Sequence, residues 1–234
     1  MYCDESCRLE AYADFHMYEC PCMTYIHWEE LNPNLILPFR IICKVGPQKL
    51  LKLFKTRDPA YFDRKVPYGA EEDCEYGTDP YLAVYHLFSN LDKEDHLRWY
   101  PLTKETLLLA SVLERETSFF QEVSEDQKSD FKKFVATLIL HHYGCVTTNP
   151  EPLCRANDTD SRSLEDFYRY GADLPKQFRF STARKFSPFA WGIYPVSSLI
   201  NHSCYPNVSQ IFDFKKGTVI VMTHRALNAG ETLY

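Results

Sequence analysis

Four residues near the start of the chain are of the types that bind zinc: Cys3, Cys7, His16 and Cys20. Zinc prefers four thiolate or imidazole ligands arranged as a tetrahedron. His16 and Cys20 are four residues apart, so on a helix both project from one face towards a single ion. Cys3 and Cys7 can share an ion across a turn. The spacing therefore predicts zinc binding, and by itself it allows one site closed by all four residues.

A second group of candidate residues lies in the segment NHSCYPN of residues 201–207. The carboxamide of Asn201 can both donate and accept hydrogen bonds. The thiol of Cys204 is either a metal ligand or a small buried side chain. Two adjacent histidines, His141 and His142, are interpreted as residues of the core or of the insertion face and not as metal ligands. Adjacent side chains on a helix point about 100° apart, and His142 continues an apolar stripe.

The composition permits a sizeable core and disfavours several classes of function. Apolar residues make up 45% of the 234 residues, and 26 basic against 32 acidic residues give a formal net charge of −6. This acidic excess, without a basic recognition helix, disfavours direct nucleic-acid binding. No apolar run approaches about 20 residues, so we expect no membrane span. The first residues do not resemble a secretory signal, which makes disulfides between the nine cysteines unexpected.

Helical patterns occupy most of the chain before residue 145. Residues 5–19 are expected to form a short helix that carries the first cysteine cluster. Residues 35–54 are expected to form two helices, because Gly46 and Pro47 interrupt the apolar run. Residues 81–143 have helical patterns, with one helix opening at Thr103 after Pro101. One apolar stripe there has helical spacing and consists of Phe131, Phe134, Val135 and Leu138.

Loops and short strands make up the rest of the chain. Residues 57–80 and 146–175 are polar and rich in turn formers, which predicts two long connections. Residues 189–196, 207–213 and 218–223 are short β-rich runs, with a turn predicted at 215–217. Helices followed by strands indicate an α+β fold, or a β core that contains a helical insertion.

Two motifs resemble a known family of proteins. The segment YCDESCRLEAYADFHMYEC is similar to the second half of a MYND zinc finger, and GIYPVSSLINHSCYPNVSQIF at 192–212 resembles the hallmark of SET domains. Downstream, VIVMTHRALNAGETL at 219–233 is similar to the family's strand, Arg-Ala turn and Gly-Glu pair. Upstream, YLAVYHLFSN and ETLLLASVLERETSFF resemble the family's helical insertion. Together they resemble the SET and MYND domain family of protein-lysine methyltransferases, in the branch whose MYND finger is inserted in the SET domain.

The resemblance implies a cofactor and a set of contacts to it. The expected cofactor is S-adenosylmethionine, with Asn201 contacting it through its side chain and His202 through its backbone. Asn149 matches less closely an asparagine that touches the cofactor in relatives, because Pro150 follows it; a polar loop residue before proline is the alternative. A role for His202 as general base is disfavoured, because methyl transfer needs a neutral lysine rather than a base bonded to it through the step.

The resemblance also divides the metal ligands. Cys3 and Cys7 would belong to one zinc ion and His16 and Cys20 to a second, each completed by cysteines from an earlier segment. Cys204 would bind a third zinc ion together with cysteines that follow the SET core. Cys22 lies outside the pattern and is interpreted as structural. The family implies a protein or histone lysine as substrate, a possible proline-rich peptide bound to the MYND finger, and a location in the cytoplasm, the nucleus or both.

These interpretations give three expected regions. Residues 1–20 would be the second half of a MYND finger, 21–145 a helical connector and SET insertion, and 146–234 a SET core that ends before its catalytic strand and post-SET segment. The family's catalytic tyrosine is expected later than Tyr234, so no catalytic residue is assigned. The chain alone is expected to be inactive. A non-catalytic SET and MYND protein that serves as an interaction scaffold is the alternative function.

Overall fold

The computed structural model describes residues 4–28, 31–57, 79–89, 91, 96–149, 151–154, 188–213 and 218–234. The chain divides into two compact units, residues 1–149 and 150–234. The described helices are all too short or too polar to cross a membrane. Each cysteine whose side chain is described is a free thiol. Most of the expected loop at 57–80, the turn expected at 215–217 and the expected connection at 146–175 from residue 155 onwards lie outside the described residues.

The first unit begins with one long helical segment. Helix α1 (Glu5–Ala11) is capped by Asp4, whose carboxylate accepts a hydrogen bond from the Cys7 amide at 2.8 Å. A π-helical turn (Tyr12–His16) leads directly into α2 (Met17–Trp28). The expectation that the helix ends near residue 19 is wrong. Pro21 lies inside α2, where it removes one backbone donor without ending the helix.

The apolar run after residue 35 forms two helices, as predicted. A 3₁₀ turn (Pro33–Leu35) precedes α3 (Ile36–Val45), and α4 (Pro47–Thr56) follows after a single residue. That residue, Gly46, has φ +80°, a conformation that L side chains rarely adopt. Pro47 then opens α4 at a position where no amide donor is needed.

Three further helices lie in the described part of the first unit. They are α5 (Pro80–Tyr85), α6 (His96–Glu116) and α7 (Lys128–Thr148), with a 3₁₀ turn at Ser118–Phe120. The prediction that a helix opens after Pro101 is wrong, because α6 begins five residues earlier and Pro101 lies inside it. The predicted connection from residue 146 is also wrong at its start. Helix α7 continues to Thr148, and residues 151–154 form a strand.

The core of the first unit lies where α3, α6 and α7 pack together. The predicted stripe on α7 is confirmed: three of its side chains are buried and Phe134 packs against them. Aromatic rings contribute much of the packing, with Phe131 lying 5.4 Å from Phe54 and 5.0 Å from Phe120, edge to face. Cys22 is fully buried, as its structural interpretation requires.

The second unit contains two small antiparallel sheets. Strand β1 (Glu151–Cys154) pairs with β2 (Pro188–Gly192), and β3 (Val208–Asp213) pairs with β4 (Thr218–Thr223). The register of the second pair places Ile211 opposite Ile220 and Val208 opposite Thr223. The molecule is thus a mixed fold of helices and small sheets. Its strands fall where the β-rich runs predicted them, apart from β1.

Candidate functional site

The NHSCYPN segment is an irregular loop between a 3₁₀ turn (Ser197–Leu199) and strand β3. The apolar pair Leu199 and Ile200, just before the motif, predicts an anchor in the core. For Leu199 this prediction is wrong, since its side chain at the end of the 3₁₀ turn is 48% exposed. The buried residues on either side of the loop are Ser197 and Val208.

Asn207 joins this loop to residues 232–234. Its carboxamide donates a hydrogen bond to the Thr232 carbonyl oxygen at 2.9 Å and accepts one from the Tyr234 amide at 2.8 Å. Its own amide donates to the Tyr234 carbonyl oxygen at 3.1 Å, and its carbonyl accepts from the His224 amide at 2.9 Å. One residue, through its side chain and its main chain, therefore holds three chain segments together.

Asn201, by contrast, has its side chain exposed, and it makes no hydrogen bond within the described part of the chain. His202 is also exposed, and its Nε2 lies 3.9 Å from the Cys204 sulfur. Cys204 itself is exposed, so its interpretation as a small buried residue is wrong. The loop thus presents a carboxamide, an imidazole and a thiol to the surroundings.

The turn after β4 is held by charged hydrogen bonds. Arg225 forms a two-point ion pair with Glu231, and the same carboxylate accepts a hydrogen bond from the Asn228 amide at 3.2 Å. The Arg225 guanidinium and the Asn228 amide lower the pKa of Glu231. Gly230, with φ +82°, allows the chain to reverse just before this carboxylate. Gly230 and Glu231 therefore fix the turn that leads into residues 232–234, the segment to which Asn207 is hydrogen-bonded.

Asn149 caps the C-terminal end of α7. Its side-chain amide nitrogen donates to the Phe88 carbonyl oxygen at 2.7 Å and to the Cys145 carbonyl oxygen at 2.8 Å. These bonds satisfy a carbonyl at the C-terminus of the helix. Asn149 belongs to the first unit and Asn201 to the second, so the predicted joint contact with a cofactor stays a prediction.

The predicted zinc ligands of the first segment lie along one helical stretch. Cys7 is in α1, His16 ends the π-helical turn, and Cys20 is exposed on α2. Among the described residues these three do not form a group with ligand atoms within 4.8 Å of one another. Cys3 lies outside the described residues. The assignment of all four as ligands stays a prediction.

A buried carboxylate lies beside His16. Glu19 is 1% exposed and accepts hydrogen bonds from the Arg40 guanidinium at 3.0, 3.1 and 3.2 Å. The Nδ1 atom of His16 is 3.6 Å from the same carboxylate. A carboxylate that faces one ring nitrogen orients the other nitrogen, as commonly occurs at zinc-binding histidines.

One group of metal-ligand side chains was missed by the sequence interpretation. His141, His142 and Cys145 on α7 offer ligand atoms that all lie within 4.8 Å of one another. The signal was present in the spacing: His141 and Cys145 repeat the His-x3-Cys pattern of His16 and Cys20. The angle between two adjacent histidines argues against a shared ion, but the thiol of the following Cys145 lies close to both imidazoles.

The sequence profile of the SET domain family matches residues 71–234, which is more than half of the chain. The chain belongs to the SET domain family. The match includes the NHSCYPN loop, both described sheets and the segment held by Asn207.

Two curated relatives of this SET domain chain are protein-lysine N-methyltransferases called SMYD4. The protein of Danio rerio is 22% identical over 90% of this chain and 28% of its own length. The protein of Gallus gallus is 24% identical over 93% of this chain and 32% of its own length. The chain therefore spans about a third of the length of these relatives. No solved structure matches it.

The residues of the SET loop fit an S-adenosylmethionine ligand by their donor chemistry. The cofactor carries an adenine edge and a zwitterionic end, and a carboxamide can donate to one acceptor while accepting from one donor. Among the described residues the Asn201 carboxamide makes no hydrogen bond, whereas that of Asn207 donates one and accepts one with the main chain. The two asparagines of one motif thus differ in their contacts.

Proposed function

We propose that this SET domain forms part of an S-adenosylmethionine-dependent protein-lysine N-methyltransferase, with Asn201 and His202 at the cofactor. The observation that carries the proposal is the division of labour within the NHSCYPN loop. Asn207 closes the loop onto residues 232–234, whereas the exposed Asn201 carboxamide makes no hydrogen bond to any residue that the structure describes. The family of the chain and the names of its curated relatives support the same reaction.

The main contribution of the protein to methyl transfer is to align the reacting atoms. When bound, S-adenosylmethionine supplies an electrophilic methyl group, which a neutral lysine amine attacks. Holding the reacting atoms in a near-attack geometry can contribute about 7–11 kcal/mol to the barrier reduction. A loop fixed at both ends suits this task better than a mobile one. Asn207 and the Arg225–Glu231 pair fix the loop and the neighbouring chain segment, and Asn201 orients the cofactor. The substrate is a lysine of a protein, such as a histone.

The proposal includes zinc as a structural ion. Cys3 and Cys7 would bind one ion and His16 and Cys20 another, in a MYND-type finger that can also accept a proline-rich peptide. His16 and Cys20 lie about one turn apart, and Cys7 lies more than two turns earlier in the same helical stretch, which is compatible with this division. Glu19, held by Arg40, would orient the His16 ring. Cys204, exposed at the loop, is available to a third ion.

Cofactor titration of the full-length gene product tests the central assignment. We expect the variant Asn201→Ala to bind S-adenosylmethionine five- to a hundredfold more weakly, because lost hydrogen bonds to buried polar groups cost about 1–3 kcal/mol. The matched control is Asn228→Ala, which makes the same chemical change at another exposed position of this unit. Calorimetry measures the affinity, and a thermal melt of the same samples shows that both variants are folded.

Methyl transfer from labelled cofactor to histones or extract proteins tests the reaction itself. Cofactor affinity that is the same in Asn201→Ala and wild-type protein would refute the assignment of Asn201. Cofactor binding without transfer to any protein would favour the alternative, a SET and MYND scaffold that binds partners without modifying them.

A further inference from the structure

We propose that His141, His142 and Cys145 form a zinc site inside the first unit, separate from the SET loop and from the N-terminal cysteines. This is the one group of three close metal-ligand side chains among the described residues. Viewed down the axis of an α-helix, His141 and His142 are about 100° apart, and Cys145 lies between them, about 40° from His141 and about 60° from His142. The thiol therefore lies between the two imidazoles, although the imidazoles themselves point apart.

The distances within the group match zinc coordination. The Nε2 atom of His141 is 3.6 Å from the Cys145 sulfur. A tetrahedral zinc ion bound to one nitrogen and one sulfur separates these two atoms by about 3.6 Å. The Tyr85 carbonyl oxygen lies 2.7 Å from the same nitrogen and 4.0 Å from the sulfur. A carbonyl only accepts, so Nε2 carries the ring proton in the metal-free protein. Zinc binding must shift that proton to Nδ1, which frees the carbonyl oxygen as the nearest candidate for a fourth ligand.

The group is buried and carries an unsatisfied polar atom. His142 and Cys145 are fully buried. The Nε2 atom of His142 is 3.2 Å from the Tyr81 hydroxyl, but its Nδ1 atom has no hydrogen-bond partner. An unpaired buried polar atom costs about 1–3 kcal/mol and calls for an explanation. If Nε2 donates to Tyr81, the Nδ1 lone pair is free to bind a metal.

The electrostatic setting favours the ligand form of the histidines. Burial lowers the pKa of His141, and it lowers that of His142 further, so both rings are neutral near pH 7. Burial raises the pKa of Cys145 to about 12, so zinc must displace the thiol proton. Two imidazoles and one thiolate are donors that zinc accepts readily.

Zinc here would fasten the segment after α5 to the end of α7. The Cys145 sulfur is 3.5 Å from the Leu87 carbonyl oxygen, and a Cβ atom added at Gly144 would lie 2.1 Å from Ser89 Oγ. The two segments are therefore already in close contact. Helix α7 ends three residues after Cys145, at Thr148, so the ion would stiffen the helix end that precedes the second unit.

Cobalt titration tests the site, because a thiolate bound to Co²⁺ gives a charge-transfer absorption band. The full chain is used in a background of Cys7→Ser and Cys20→Ser, which removes the predicted N-terminal sites. We expect a band that Cys145→Ser abolishes, and an affinity that His141→Gln lowers at least tenfold. Cys43→Ser is the matched control, since Cys43 is a buried thiol in α3. It should keep both band and affinity.

Thermal stability gives a second measurement. Zinc should raise the Tm of the background protein, because an ion that binds only the folded state stabilises it. The increase should vanish in His141→Gln, a variant that keeps Cys145. If the background protein binds no Co²⁺ at micromolar concentration, or binds it equally well after Cys145→Ser, the group serves only as a set of structural hydrogen bonds and the proposal is wrong.

Discussion

Two asparagines of the same motif differ in what they touch. Asn207 forms two side-chain hydrogen bonds with residues 232–234, whereas Asn201 forms none within the residues described. Chemically identical substitutions at these positions should therefore affect different properties. The contrast separates a role in closing the loop from a role in binding a ligand.

We expect Asn207→Ala to lower the free energy of unfolding of the second unit by about 1 kcal/mol, the usual net value of a hydrogen bond at a half-buried position. Asn201→Ala should leave it unchanged. Thermal melts of the two variants, followed by circular dichroism, measure the difference. Equal destabilisation by the two substitutions would contradict the division of labour between them.

The ion pair of Glu19 and Arg40 is asymmetric in burial. Glu19 is 1% exposed, while the Arg40 side chain is 44% exposed. Removing one partner leaves the other behind, and only a buried charge left alone is costly. Which of the two substitutions destabilises the protein more can therefore be predicted from the exposure of the remaining partner.

Arg40→Met should lower the free energy of unfolding by about 1–3 kcal/mol, because it leaves a buried carboxylate without its donor. Glu19→Gln should cost less than about 1 kcal/mol, since Arg40 can turn to water. Urea denaturation of both variants tests the order. A larger effect for Glu19→Gln would mean that burial does not decide the energetics of this pair.

Among the helices, α5 depends most clearly on one side chain. Asp79 caps it by accepting a hydrogen bond from the Tyr81 amide at 2.9 Å, and it also pairs with Lys49 of α4 at 2.6 Å. Partial burial raises the pKa of Asp79, but the hydrogen bonds from Lys49 and the Tyr81 amide and the Lys49 charge together lower it below its ordinary value.

Asp79→Asn should keep the cap and lose the ion pair, lowering the free energy of unfolding by less than about 1 kcal/mol. Asp79→Ala should cost about 1 kcal/mol more, because it loses the cap as well. Because the folded-state pKa is lowered, the stabilisation by the carboxylate is complete above the unfolded pKa, about 3.9. It is lost as the pH falls through the folded pKa. The difference between wild type and Asp79→Asn should therefore shrink below pH 4, as urea titrations at several pH values would show. A constant difference would contradict the pKa direction.

At the scale of the molecule, the large apolar core belongs to one unit. Every member of the main core cluster lies between Cys22 and Ile139, within residues 1–149. The second unit is built from two sheets of two strands each in its described part. Small two-stranded sheets have little independent stability. The two units should therefore differ in how they unfold.

We expect a chain of residues 1–149 to unfold in one cooperative transition. Phe131→Ala in that chain should lower the free energy of unfolding by about 3–5 kcal/mol, since Phe131 is fully buried among other aromatic rings. Near-ultraviolet circular dichroism during a urea titration follows the packing of these rings. A broad, non-cooperative loss of signal would show that the first unit needs the rest of the chain.

The sequence by itself determined the features that depend on short-range geometry. The break between α3 and α4 follows from Gly46 and Pro47, the stripe on α7 from helical spacing, and the positions of β3 and β4 from β-rich runs. The NHSCYPN motif was enough to indicate a SET domain. In each case neighbouring residues restrict the backbone or share a face, whatever surrounds them.

Only the tertiary structure decided which of the candidate groups meet. It extended the first helix to Trp28, placed Pro101 inside α6, and exposed Leu199 and Cys204. It also gave the loop-closing hydrogen bonds to Asn207 and placed the Tyr85 carbonyl oxygen of α5 beside His141 and Cys145. These outcomes depend on segments dozens of residues apart in the chain. Spacing fixes the direction of a side chain on its own element, but burial and hydrogen-bond partners are set by whichever segment packs against it.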